Sequence, residues 1–414
     1  MEVITPSGRY PALKYADFRY FWIGQFISNT GTQMQIVAIN WQLYVLTHSP
    51  FALGMIGLSR FIPIAVFSLL GGSFADVHNR KRIQFITQTT LAILSLALAL
   101  TTIGKIINPF FIYAVTILAA ITTSFDLPAR QAMIPNLVEK KDLANAMSLN
   151  VIMFQVSTVA GPAIGGFVIG YLGVGTVYLF NALSFGAVIT SLILIKNTGE
   201  PVIHDLGTKA SISIHSILEG IRFVRSKTLI WSTMLLDFFS TFFASATVLL
   251  PVYAESILHV GPIGLGFLYS ADSVGAVAAG LAIAHTGKIK KQGVVLLSAV
   301  GVFGLATILF GISSNYILSI LALIILGAGD SVSTIIRNTI RQIETPDYIR
   351  GRMTSINMIF FAGGPQLGEF EAGLLASLVG TPLSVVLGGI GTLIVVGTVA
   401  YGIPTVRKYH GHNA

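Results

Sequence analysis

The feature that most constrains this chain is the repeated return of long apolar stretches separated by short polar turns. About 20 apolar residues cross a bilayer as a helix, because inside the hydrocarbon each segment must satisfy its own backbone N–H and C=O groups. Twelve such stretches are readable, at 20–46, 51–74, 83–103, 109–126, 146–170, 175–195, 229–253, 263–284, 293–312, 316–336, 353–378 and 383–403. The chain is 53% hydrophobic and 10% charged, against roughly 25% charged for an ordinary soluble domain. The expected fold class is therefore an all-α membrane protein with twelve transmembrane helices.

Charge placement orients the spans. Of the 25 Lys and Arg, only Lys105 falls in an outer loop and only Arg60 within a span when the N-terminus is inside. Positive residues gather on the cytoplasmic side of membrane proteins, so both termini are expected there. The net charge of +8 is explained by this topology and needs no nucleic-acid partner. Residues 1–19 are polar and lack the apolar core of a signal peptide. Cysteine is absent, which removes disulfides, thiolate metal sites and Cys nucleophiles.

The longest polar stretch, 196–228, separates an N-terminal six-helix bundle (1–195) from a C-terminal one (229–414). Within it, Ile214, Ile217, Leu218, Ile221 and Val224 recur at helical spacing opposite Glu219, Arg222, Arg225 and Lys227. That pattern predicts an amphipathic helix on the inner membrane face. The halves also repeat. "PFALGMIGLSR" (50–60) resembles "PIGLGFLYSAD" (262–272) at an offset of 212, "RQAMIP" (130–135) resembles "RQIETP" (341–346) at 211, and "GPAIG" (161–165) resembles "GPQLG" (364–368) at 203. Parallel repeats of six helices, with a substrate site between them, are one recurrent transporter plan.

Against that plan, "GGSFADVHNRKR" (71–82), at the turn from the second to the third span, resembles the signature of the major facilitator superfamily. Gly72, Asp76, Lys81 and Arg82 match, and Arg80 extends the basic cluster. Val77 stands in place of a base and Asn79 in place of a glycine. The resemblance implies two pseudo-symmetric six-helix bundles and an inner gate at this turn. In that gate Gly72 allows close helix approach, Asp76 caps or pairs, and the bases face the anionic inner surface. Asn79 is expected to supply the left-handed backbone that the missing glycine would give.

"VSTVAGPAIGGFVIG" (156–170) places Gly161, Pro162, Gly165 and Gly166 in the fifth span. It resembles the antiporter motif of exporters in the superfamily, a proline-kinked helix with a glycine face for tight packing. "FDLPARQAMIPNLV" (125–138), "GIRFVR" (220–225) and "PDYIRGRM" (346–353) resemble the branch that includes the enterobactin exporter and drug and macrolide efflux proteins. That resemblance implies export of a small amphipathic molecule, drug- or siderophore-like, by a monomer in the bacterial inner membrane. A lipid or lysolipid flippase, or an importer, would share the fold. One departure stands out: many proton-coupled drug exporters have an Arg inside the fourth span, and 109–125 has none.

Charged groups inside spans are costly and mark pathways, relays or pairs. Here they are Arg60, Asp237, Asp272, Asp330, Glu369 and Glu371, with Arg337 at the edge of its span. At ~1.5 Å per residue, Arg60 and Glu369 lie at similar depth, on helices that the superfamily places side by side, and are expected to pair. Asp330 and Arg337 lie two turns apart on one face that Arg341 continues, which reads as an inner-gate ladder. Asp237 and Asp272 have no evident basic partner, so with Glu369 they are the proton-coupling candidates. Gln25, Asn29, Gln33 and Asn40 share one face of the first span, and Phe238 and Phe239 follow Asp237; these six are the candidate cavity lining. Neither a nucleotide loop nor an H-E-x-x-H motif is present, and six of the eight His lie in loops or the tail. The expectation is a secondary transporter rather than an enzyme, with no cofactor and no metal, working on a small-molecule substrate with protons as coupling ion and a lipid bilayer as surroundings.

Overall fold

The structure is a computed structural model that describes residues 10–196, 214–286, 289–346 and 349–411. Among them it is built from helices alone. The long ones are α1 (Ala16–Thr47), α2 (Pro50–Val77), α3 (Arg80–Ile103), α4 (Pro109–Met133), α5 (Leu143–Leu172) and α6 (Val174–Leu194). The linker helix α7 (Ile214–Ser226) and α8 (Thr228–Phe243) follow. A short α9 (Leu250–Val252) precedes α10 (Gly261–Thr286), α11 (Gln292–Ile312), α12 (Tyr316–Glu344), α13 (Arg350–Val379), α14 (Thr381–Gly402) and the tail turn α15 (Pro404–Arg407). Ten segments among the described residues are long and apolar enough to cross a membrane, and α1 and α13 are not among them. The reason is in their sequences: α1 has the Gln and Asn stripe, and α13 has Glu369, Glu371 and several glycines.

Helix starts follow local chemistry. Asn79, Asn108 and Asn315 each accept a backbone N–H three residues on, at 3.0, 3.0 and 3.1 Å, and so cap α3, α4 and α12. Each such cap stabilises a helix by about 1 kcal/mol. The α5–α6 and α13–α14 connections both turn at a glycine, Gly173 with φ +85° and Gly380 with φ +89°, a backbone that side chains with a Cβ rarely adopt. His48 and His259, at equivalent places in the repeat, are likewise both left-handed, with φ +48° and +53°.

Contacts divide the chain into two compact units, Met1–Ile39 with Ile62–Ala210, and Asn40–Phe61 with Ser211–Ala414. Residues 40–61 are thus grouped with the second unit by their contacts, whereas a division at the linker follows chain order. In the first unit, Phe18, Phe21, Met133, Leu149 and Leu192 join one buried cluster, so α1, α4, α5 and α6 meet there. Lys14 reinforces that end with an ion pair to Asp142 at 2.8 Å, and the bond raises the Lys14 ammonium pKa above its ordinary value. Trp22 donates to the Leu149 carbonyl at 3.0 Å. In the second unit, Leu236, Leu296, Val300, Ile336 and Val399 form the corresponding core.

The linker helix forms as the periodicity predicts, but its inner face meets protein. Val224 is buried among Ile230, Met234, Met353 and Ile356, so α7 docks on α8 and α13. The seventh span is also broken rather than continuous. After Phe243 the chain passes through a 3-10 turn at Ala246–Leu249 and a π turn at Tyr253–Ile257. Ser245 donates to the Thr241 carbonyl and to the Pro365 carbonyl of α13, at 2.6 and 3.0 Å, where the helix ends.

Candidate functional site

The second unit holds a buried charge cluster. Asp237 on α8 is 2% exposed, and Arg337 and Arg341 on α12 are 1% and 3% exposed. Arg337 Nη2 lies 2.9 Å from Asp237 Oδ1 and 3.7 Å from Asp330 Oδ1, and Arg341 Nη1 lies 3.7 Å from Asp237 Oδ2. Arg337 also donates to Thr334 Oγ1 at 2.7 Å, and Arg341 donates to Asn338 at 2.5 Å and to Asn357 of α13. The Asp330–Arg337–Arg341 face is therefore joined to Asp237. This corrects the expectation that Asp237 lacks a basic partner: α12 continues past its predicted end to Glu344, which brings both arginines alongside α8. Charge-assisted contacts from two guanidiniums in a dry site hold a carboxylate in a fixed geometry.

The other charged residues of this unit are arranged differently. No ion pair within 4 Å reaches Arg60, Asp272, Glu369 or Glu371 among the described residues. The expected Arg60–Glu369 bridge is thus not made. Glu369 instead packs on a glycine face of α2, where a Cβ on Gly57 would stand 2.8 Å from the Glu369 Cβ. Its Oε2 is buried with no hydrogen-bond partner among the described residues. Asp272 lies against Gly327 of α12, its Oδ1 2.6 Å from where a Cβ would be. Phe238 stacks on Phe242 at 6.0 Å and meets Phe360 of α13 edge-on at 6.0 Å, while Phe239 is exposed. Asn40 donates to Tyr269 Oη at 2.8 Å, a helix–helix bond rather than an open lining position.

In the first unit, the polar stripe of α1 meets a residue that the sequence reading left in a loop. α4 runs to Met133 rather than stopping near 126, so Arg130 lies on it. Arg130 Nη1 donates to Gln25 Oε1 at 3.1 Å and to Asn29 Oδ1 at 3.4 Å. One turn earlier on α4, Asp126 accepts from Thr87 at 2.7 Å and from Gln88 at 3.0 Å, both on α3. Gln33 lies where α5 crosses α1, and a Cβ on Gly161 would stand 2.5 Å from the Gln33 Cβ. Gly165 packs on Met34 in the same way, with Pro162 and Gly166 buried beside it. Stretch 109–125 still holds no arginine, but α4 carries Arg130 three residues from its end. Its repeat partner Arg341, likewise near the end of a helix, was the signal that could have revealed it.

These elements now meet the known proteins. The profile of transmembrane secretion effectors matches residues 7–410. The chain belongs to the transmembrane secretion effector family, within the major facilitator superfamily. It is 27% identical over 381 residues to the enterobactin exporter EntS of Escherichia coli O1:K1, covering 91% of this chain and 89% of that one. The Shigella boydii serotype 18 enterobactin exporter EntS is 27% identical over 379 residues, with the same coverage. In fold it is similar to a bacterial homolog of the human lysosomal transporter Spinster, solved inward-facing and unoccupied. The TM-score is 0.75 at 14% identity, over 98% of this chain and 100% of that one. The chain is thus an integral membrane secondary transporter of small molecules with the major facilitator fold, and not an enzyme.

The superfamily turn departs from expectation in three ways. Asn79 is not left-handed; at φ −62° and ψ 113° it is extended and caps α3. Gly72 has no neighbour within 4 Å of a Cβ among the described residues, and the close approach is made by Gly71, whose Cβ would stand 2.0 Å from the Ser124 carbonyl. Pro128 of α4 has no N–H to give that carbonyl, and the bare Gly71 backbone fills the place. Two bases of the turn cap helix ends: Arg80 donates to the Ala132 carbonyl of α4 at 3.2 Å, and Lys81 to the Ile195 carbonyl after α6 at 2.7 Å. Asp76 lies on α2, and its side chain is outside the described residues, so the gate role expected of it stays with the sequence.

Proposed function

We propose that this transporter exports small amphipathic molecules, drug- or siderophore-like, by alternating access coupled to the proton gradient. In this reading it is a monomer of the bacterial inner membrane with both termini cytoplasmic, made of the bundles 1–195 and 229–414 joined by the linker 196–228. The substrate-lining candidates are Gln25, Asn29 and Gln33 of α1 in the first unit and, in the second unit, the aromatic pair Phe238 and Phe239 of α8. Likeness to an enterobactin exporter over most of both chains supports the direction. No nucleotide-binding motif is available to drive uphill export, so an ion gradient is the remaining source.

The observation that supports proton coupling is the contrast among the membrane carboxyls. Asp237 is fixed by two arginines, whereas Asp272 and Glu369 have no ion pair among the described residues. A relay carboxyl must take and release a proton as access alternates. A carboxylate locked in a charge cluster is poorly suited to that, so coupling is assigned to Asp272 and Glu369 and a positioning role to Asp237. Asp272→Asn and Glu369→Gln should lose gradient-driven efflux from inside-out vesicles while keeping downhill exchange of cargo. Full-rate pumping by both variants would place coupling elsewhere.

A further inference from the structure

We propose that Arg130, Gln25 and Asn29 form a binding site for a carboxylate on the exported molecule. The inference rests on the export reading and names the cargo class that this site recognises. Its basis is a comparison of the two units, position by position.

At the repeat offset of 212, "QFISN" (25–29) aligns with "DFFST" (237–241), and at 211 Arg130 aligns with Arg341. In the second unit, Arg341 faces Asp237, an internal carboxylate. In the first unit the same place is taken by Gln25, an amide. The guanidinium of Arg130 consequently has two neutral acceptors, Gln25 Oε1 and Asn29 Oδ1, and no ion pair within 4 Å among the described residues. Asp126, one turn away, makes no ion pair with it among the described residues; its Oδ1 accepts instead from Thr87 and Gln88 of α3.

A second observation points to a ligand. Gln25 is 1% exposed, and its Nε2 is buried with no hydrogen-bond partner among the described residues. A buried donor left unpaired costs about 1–3 kcal/mol of desolvation. Its Oε1 already accepts from Arg130, so the amide presents a donor beside a cation that has no ion pair among the described residues. Two neighbouring donor groups, one charged, match the two oxygens of a carboxylate. Where the second unit closes its arginine with its own acid, the first leaves the acid to the cargo.

The test is equilibrium binding to protein in phosphatidylcholine nanodiscs, with no gradient. The probes are pyrenebutyrate and its neutral amide, with empty nanodiscs as the partition control. The acid should bind about tenfold or more tighter than the amide. Arg130→Gln should erase that gap and Arg130→Lys keep part of it. Gln25→Asp should also erase it, because it installs the internal acid that Asp237 supplies in the second unit. Equal binding of acid and amide by the unsubstituted protein overturns the proposal, even if a variant fails to fold, and so does an undiminished gap in Gln25→Asp. Displacement of the acid by added phosphatidylglycerol would make the site a lipid-headgroup site and overturns the cargo assignment. A failure of proton coupling leaves these binding outcomes untouched, and a tie between acid and amide leaves the export reading standing.

Discussion

Arg337 is among the largest fully buried side chains of the described residues. Taking a guanidinium out of water costs several kcal/mol, and the cost is offset only where geometry and hydrogen bonds are good. Asp237 and Thr334 meet one end of it, and its Nε and Nη1 have no hydrogen-bond partner among the described residues. The pair is thus only partly satisfied, and removing Asp237 leaves Arg337 with only the more distant Asp330 carboxylate at 3.7 Å and Arg341 with none among the described residues. Asp237→Ala should destabilise the protein by about 3–5 kcal/mol, seen as a large drop in thermal midpoint in detergent. Asp237→Asn, which keeps an acceptor, should lose less, and Asp237→Leu combined with Arg337→Met should recover most of the loss. An unchanged midpoint in Asp237→Ala would mean that the cluster does not stabilise the fold.

At the scale of elements, the apolar runs made the helices legible, and the polar ends hid what matters most. α4 and α12 were both read short because Asp126, Arg130, Arg337 and Arg341 look like loop residues in a membrane chain. They lie on helices because neighbouring side chains satisfy them, a tertiary fact that a hydropathy profile does not contain. The carboxyls of α8, α10 and α13 were found from the sequence, but their pairing was not: the expected Arg60–Glu369 bridge is absent, and the Asp237–Arg337 bridge was not foreseen. Pairing depends on rotation and depth of packed helices, which glycine faces such as Gly54–Gly57 set. Orientation, by contrast, rests on loop charge alone, and the Cys-free chain suits a direct test. A cysteine at Lys105 should react with an impermeant reagent from outside the cell, and one at Lys290 only after permeabilisation. The opposite pattern would invert the topology.

At the scale of the whole molecule, a duplicated helical plan carries different charges in its two copies. Paired glycine turns at Gly173 and Gly380 and paired left-handed histidines at 48 and 259 preserve the duplication in the backbone. The charges have diverged: the second copy closes its arginines with Asp237, and the first leaves Arg130 with amides. Asymmetry of this kind lets one copy hold shape while the other meets cargo. The central claim is that a proton gradient drives export, and the most direct measurement uses the unsubstituted protein in inside-out vesicles. With the interior made acidic, a labelled amphipathic cargo should accumulate inside above its external concentration, and a protonophore should release it. Accumulation that persists after the gradient is collapsed, or a gradient that produces none while downhill exchange of the same cargo proceeds, would contradict the account.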